Sequence, residues 1–179
     1  MAILKVARMG HPVLREDARE VNPAKLNQLD FQHLVQDMIE TMAEYSGVGL
    51  AGPQVHVPLR VFIFLKDTKD AATVLVAINP LIRPIEGKRE IGWEGCLSVP
   101  DIYGQVPRNV SVCLEATDAI GNRYETELNG LAARVCQHEA DHLDGVLFLE
   151  RIEDFSTLAF GEERKRFFGE QEESGKSNS

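Results

Sequence analysis

Apolar positions between residues 27 and 45 recur at helical spacing. Leu29, Leu34, Met38, Ile39 and Met42 approximate a 3.6-residue period with Gln, Asp and Glu between them, the pattern of an N-terminal amphipathic helix that buries one stripe. Ser46-Gly47 is expected to stop it, because helices commonly end near glycine. Glycine density over residues 47–55 predicts a shaped loop or a bulged strand. Arg60–Leu65 and Thr73–Ile78 are short, apolar and rich in β-branched residues, so they read as strands, with Asn79-Pro80 closing the second. Residues 91–99 read as extended. Residues 105–116 and 122–128 read as two strands joined through Asp118-Ala119-Ile120-Gly121, a hairpin signal.

A second helical period runs from about Gly130 to Leu143, with Asn129 placed to cap it. Leu131, Val135, His138 and His142 fall at i, i+4, i+7 and i+11. The two histidines therefore continue an apolar stripe and point inward, as metal ligands do and free surface histidines seldom do. Val146–Leu149 reads as a short strand. From about Gly161 the chain turns to Glu-Glu-Arg-Lys-Arg and then to a polar end. Residues 1–165 are expected to form a single domain, and residues 166–179 a polar tail with too little apolar surface to order itself. No internal repeat or second domain is evident. Strands followed by a late, central helix give an α+β class.

Composition narrows the setting. The chain has 179 residues, 44% hydrophobic and 26% charged, with a net charge of −9. That suits one globular domain with a sizeable core. It argues against direct specific nucleic-acid binding or a grip on anionic membrane, since no basic excess exists to neutralise phosphates. No apolar run approaches the roughly 20 residues needed to span a bilayer, and the first residues lack the character of a secretory or transit signal. The cytoplasm is the expected location. Three cysteines do not suggest a disulfide framework, which leaves thiols for packing or metal.

The chemistry concentrates in Gln137-His138-Glu139-Ala140-Asp141-His142. Two histidines four apart lie on one helix face about one turn apart. They can grip one metal ion while the intervening carboxylate reaches a water beside it. The reaction class implied is hydrolysis by metal-activated water. A catalytic site of this kind normally has a third protein ligand, and Cys96, Cys113, Cys136, Asp141, Glu94 and Glu150 are candidates. Cys136 lies roughly 200° around the helix from His138 and Cys113 sits in an alternating strand, so packing is the better reading for both. Cys96, in Glu94-Gly95-Cys96-Leu97-Ser98, follows a glycine that permits close backbone approach, and a thiolate there can complete a His-His-Cys set with one open position. Two other classes compete. A zincin-type endopeptidase would use a downstream His or Glu instead of the upstream Cys96. A closed structural site would need a fourth protein ligand. The bland alternatives are core histidines, a solvated Glu139, and a Gln54 that only satisfies its loop. Trp93 reads as a packing residue, and His11, His33 and His56 as structural or surface residues.

Gly47-Val48-Gly49-Leu50-Ala51-Gly52-Pro53-Gln54, Glu94-Gly95-Cys96-Leu97-Ser98 and the H-E-x-x-H segment resemble, in order and spacing, the three signature motifs of peptide deformylases. The resemblance covers roughly residues 3–160. It implies antiparallel β-sheets packed around a central helix carrying H-E-x-x-H. It also implies removal of the formyl group from the N-terminal formyl-methionine of newly made proteins, with release of formate. It assigns Cys96, His138 and His142 to one divalent metal ion, ferrous iron in the cell and zinc or nickel in a purified sample. Glu139 becomes the general base and acid, and the Gln54 amide and Leu97 backbone N–H become oxyanion donors. Val48 and Gly49 would pair with an extended N-formyl-methionyl nascent peptide, Val135 would wall the methionine pocket, and Glu94 would pair with Arg108 behind Cys96. Substrates of this kind imply a transient encounter with the ribosome. The pattern departs at Gly52 and Asp101, where alanine and glycine are usual, and at Ala140, where a larger apolar residue is common. Modest effects are expected from these departures, on the setting of Gln54, on the next loop and on packing behind the helix.

Overall fold

The computed structural model describes residues 2–67, 70, 73–85 and 87–174. It combines helices with two antiparallel sheets. The first helix, α1, spans Leu29–Glu44 and buries Phe31, Val35, Met38 and Met42. It is capped by Tyr45 and stops at the expected Ser46-Gly47, where Ser46 takes the left-handed region at φ 52° and Gly47 N donates to the Met42 carbonyl at 2.8 Å. Strand β1 (Gly49–Ala51) follows, then a tight turn over Gly52–Val55. Strands β2 (Val61–Leu65) and β3 (Val74–Pro84) come next, followed by β4 (Arg89–Cys96), β5 (Val99–Asn109), β6 (Ser111–Thr117) and β7 (Arg123–Asn129). Helix α2 spans Gly130–Leu143, and the chain closes with β8 (Ala159–Phe160) and helix α3 (Gly161–Ser174).

One sheet has the order β1-β2-β3-β6-β7 and the other β4-β5-β8. The run Val61-Phe62-Ile63-Phe64 is apolar throughout because both faces of β2 are covered. Val61 and Ile63 pack with Met38 and Met42 of α1, while Phe62 and Phe64 pack with Ala133, Cys136 and Leu143 of α2. Strand alternation thus divides one segment between two cores. Helix α2 also meets β5 of the smaller sheet. A third cluster, with Leu14, Val106, Leu147 and Phe148 buried, underlies the smaller sheet.

Several expectations are corrected. Asn79-Pro80 does not end β3. The strand passes a bulge between Ile78 and Leu81 and runs on beside β6. Asn79 takes φ 49° there, and its side-chain amide both donates to and accepts from the Val21 backbone at 2.9 and 2.8 Å. Pro80 has no N–H to lose, so the bulge tolerates it. The extended stretch 105–116 is two strands in different sheets, parted at Val110. Residues 146–149 form no strand. A tight turn over Phe148–Arg151 takes their place, held by the Glu150 carboxylate accepting from Leu147 N at 2.9 Å. Asn129 occupies the cap position of α2 without capping it, because its side-chain oxygen accepts from the Ser111 hydroxyl at 2.6 Å. Helix α3 runs through residues from which a disordered tail is expected. Phe168 anchors it on Trp93 with ring centroids 5.1 Å apart, and Arg164 stacks over Trp93 and Tyr103 at 5.2 Å each. Residues 175–179 lie outside the described residues.

Candidate metal centre

Strands β4 and β5 form a hairpin whose two-residue turn is Leu97-Ser98, since Cys96 pairs with Val99. The register shifts between Gly95 and Cys96, and such a bulge re-aims the side chain that follows it. Here that side chain is Cys96, turned toward α2. His138 and His142 approach from α2 one turn apart. Cys96 Sγ lies 3.3 Å from His142 Nε2, and one ligand atom from each of Cys96, His138 and His142 lies within 4.8 Å of the others.

The charges of the trio are coupled to one another. Burial alone would raise the Cys96 thiol, but the His142 and His138 imidazoles outweigh it and hold the thiol well below its ordinary range. Burial works against a charged His138, yet the Cys96 sulfur and the Glu94 carboxylate overcome it and raise that imidazole well above its ordinary value. A thiolate drawing a proton onto a buried imidazole is a donor set that a divalent ion can take over. Among the described residues, His142 Nδ1 and Glu139 Oε2 are buried without a hydrogen-bond partner. Two histidines and a thiolate match the donors of three-ligand catalytic metal sites.

Behind the trio stands a buried ionic frame. Glu94 Oε2 lies 2.9 Å from His138 Nδ1, which leaves Nε2 of that ring for the metal side. Arg108 holds Glu94 with two bonds of 3.0 Å each. Its third, of 2.6 Å, goes to Asp141, which Arg151 grips from the other side at 2.7 Å. Arg134 donates to Glu94 at 2.9 Å and to the carbonyls of Glu90, Gly92 and Val106. Burial would raise the Glu94 carboxyl, but its bonds to His138 and Arg108 prevail and hold it at about 2. The Glu94–Arg108 pair was expected; the part of Arg134 was not. Its signal lay in the spacing, because Arg134 precedes His138 by four residues on one helix face. Asp141, a candidate ligand by sequence, is instead committed to Arg108 and Arg151.

A cleft of about 440 Å³ opens in front of the trio. Of the residues singled out by sequence, Val48, Gly49, Gln54, Cys96, Leu97, Val135, His138 and Glu139 line it. His142 lies behind, against Cys96. Glu139 presses on the backbone of β1: a Cβ on Gly49 would stand 2.4 Å from Glu139 Oε1, so only glycine lets the carboxylate lie there. Burial pushes the Glu139 carboxyl up against the pull of His138 and His142, to about 7. Gln54 is 2% exposed. Its oxygen accepts from Ala51 N at 2.8 Å, which turns its amide nitrogen toward Cys96 Sγ and Ser98 Oγ, each at 3.4 Å. Leu131, expected on the buried stripe, is 54% exposed and lines the cleft with Trp93 and Tyr103. Trp93 thus both packs on α3 and faces the cleft.

Two of the departures are explained by their surroundings. Asp101 holds a left-handed φ of 63°, a conformation in which glycine costs nothing and aspartate little. Gly52 is closely enclosed by backbone. A Cβ there would lie 2.8 Å from the Val57 carbonyl oxygen and 2.9 Å from that of Leu59.

Comparisons with known proteins agree on one family. The polypeptide deformylase family model matches residues 3–157. Peptide deformylase 2 of Bordetella bronchiseptica is 40% identical over 163 residues, covering 88% of this chain and 92% of that protein. A chloroplastic/mitochondrial peptide deformylase 1A of Arabidopsis thaliana is 36% identical over 164 residues, covering 83% of this chain and 61% of that protein. Among solved structures, the class I type b peptide deformylase of Acinetobacter baumannii with Met-Ala-Ser bound aligns with a TM-score of 0.78 at 38% identity, covering 84% of this chain and 99% of that one. Peptide deformylase of Thermotoga maritima aligns with a TM-score of 0.80 at 38% identity, covering 86% of this chain and all of that one at 100%.

Proposed function

Because the chain belongs to the polypeptide deformylase family, we propose that Cys96, His138 and His142 hold one divalent metal ion beside which Glu139, Gln54 and Leu97 carry out the reaction. The activity is hydrolytic removal of the formyl group from N-terminal formyl-methionine, and the family is metal-dependent. The observation that carries the residue assignment is the meeting of Cys96, His138 and His142 within 4.8 Å beside a buried, partly orphaned Glu139.

When bound, the metal supplies Lewis acidity that activates water and polarises the formyl carbonyl. Glu139 takes the proton from the attacking water and delivers it to the departing amine nitrogen, so that formate and a free N-terminus leave together. Burial sets its carboxyl near neutrality, which suits a group that must both accept and return a proton. The developing oxyanion is met by the Gln54 amide and the Leu97 backbone N–H. Gln54 is oriented for this: Ala51 N occupies its oxygen, so the nitrogen faces the sulfur side of the site.

The peptide enters extended. Strand β1 is an edge of its sheet, and its outer backbone edge at Gly49 can take one more strand, with Val48, whose carbonyl already accepts from Leu65 N at 2.9 Å, lying alongside. Val135 walls the methionine pocket. The Met-Ala-Ser bound to the Acinetobacter baumannii relative supports a methionine-initiated peptide as the ligand. A thiolate with two imidazoles suits several transition metals; the ion here is ferrous iron in the cell, with zinc or nickel in a purified sample. Newly made chains as substrates place the protein in the cytoplasm, in transient contact with the ribosome. Among the described residues, no helix is long and apolar enough to cross a membrane.

The test is formate release from a formyl-Met peptide after anaerobic loading with Fe(II) or Ni(II). Wild type should turn over, and Glu139→Gln should bind one metal per chain without turnover. Activity in the loaded Glu139→Gln protein would refute the assignment of the base.

A further inference from the structure

We propose that Arg8, on the rim of the cleft, is a specificity-determining residue that favours peptides bearing a carboxylate within the first few positions after formyl-methionine. The inference rests on the cleft being the site of the reaction. Arg8 belongs to the N-terminal arm, and its position is fixed from both sides. Ala7 N donates to the Gln54 carbonyl at 2.7 Å, and Met9 N donates to the Ser98 carbonyl at 2.8 Å. The arm thereby bridges the two segments that present the Gln54 amide and the Leu97 N–H. Ala7, at 2% exposure, points into the protein, so the intervening Arg8 points out, and it lines the cleft.

The charges around the cleft single it out. Arg134, the other arginine of the lining, is bound to Glu94. Arg8 forms no ion pair among the described residues. Asp101, also on the rim, lies against the start of α3, where a Cβ on Gly161 would meet its Oδ1 at 2.9 Å. The whole chain carries a net charge of −9, which repels anionic peptides at a distance. A guanidinium at the mouth offsets that repulsion locally and can accept a carboxylate with two parallel hydrogen bonds. An extended peptide advances about 3.3 Å per residue, so one residue near the rim should feel Arg8 more than its neighbours do.

The experiment compares kcat/KM for formyl-Met peptide amides with Asp or Lys at position two, three or four, each normalised to an uncharged formyl-Met-Ala-Ala-Ala amide. Wild type should prefer Asp over Lys at one of these positions by about two- to fivefold, the range of an exposed ion pair. Arg8→Glu should abolish or invert that preference, Arg8→Lys should keep its sign, and high salt should flatten it. Salt sensitivity and sign inversion are not consequences of a merely structural Arg8. An Asp-to-Lys ratio that is the same in wild type and Arg8→Glu, with Glu139→Gln inactive, overturns the role of Arg8 while leaving the site assignment intact. Turnover by Glu139→Gln would overturn the site assignment and this proposal with it.

Discussion

Glu94 stands directly behind His138, its Oε2 2.9 Å from the ring Nδ1, while two arginines hold the same carboxylate from the far side. The ring is thereby fixed in tautomer and direction, with Nε2 toward Cys96. Carboxylates behind metal-bound imidazoles commonly contribute 10- to 100-fold in metal affinity. Glu94→Ala is expected to lose about that much, read by competition with a chelating dye. It should also lose about 3–5 kcal/mol of stability, because Arg108 is then left buried with half its partners.

The same carboxylate has a pH signature. Its folded-state value, about 2 against an ordinary 4.5, is depressed, so its contribution is complete above pH 4.5 and fades as pH falls toward 2. Thermal unfolding of wild type and Glu94→Gln should therefore differ most near pH 7 and converge below pH 4. A gap that stays constant between pH 7 and pH 3 would show that ionisation of Glu94 is not what stabilises the frame.

Gly49→Ala places a methyl group where Glu139 Oε1 now lies, 2.4 Å away. Either the carboxylate moves or β1 does, and a displacement near 1 Å can cost about 100-fold in rate. The expected result is a large fall in kcat with metal content retained. Full activity with metal bound would show that Glu139 need not rest against β1 to work.

Gln54→Ala removes the side-chain donor to which we assign the oxyanion. Loss of one such donor costs about 10²- to 10³-fold in kcat. The effect should fall mainly on kcat, since a donor that strengthens only as charge develops contributes little to substrate binding. A rise in KM at constant kcat would assign Gln54 to binding instead.

What the sequence revealed follows a physical division. His138, Glu139 and His142 were legible because four residues make about one helical turn, and Cys96 because its flanking glycine and family motif set it apart from Cys113 and Cys136. Both α1 and α2 were legible from their period. Asn79 was misread because its left-handed bend is stabilised by Val21, far away in sequence. The break at Val110 was hidden because a chain crossing from one sheet to another keeps its extended, alternating character. Arg134 and Arg8 escaped notice for a related reason. An arginine becomes a frame or a rim only when distant segments, β4 for one and the Gln54 turn for the other, are brought beside it.

Gly52 shows the same dependence on context. The usual alanine at this position was expected to be a mild change, yet the turn after it has closed onto the glycine. The Val57 and Leu59 carbonyl oxygens stand 2.8 and 2.9 Å from where a Cβ would sit, and Val57 N donates to the Gly52 carbonyl at 3.0 Å. Neither oxygen is the free end of a flexible side chain; both are backbone, and Leu59 pairs with Arg19 in an isolated bridge. Gly52→Ala must therefore shift main chain, at about 1–3 kcal/mol for an overpacked site. For a chain of this length that corresponds to a Tm lower by roughly 2–4 °C per kcal/mol. Since Gln54 is two residues on in the same turn, kcat should fall with Tm, whereas metal affinity, which the proposed ligands on β4 and α2 would set, should not. A Gly52→Ala protein with unchanged Tm would mean that the turn relaxes at no cost and that the glycine is not required by packing.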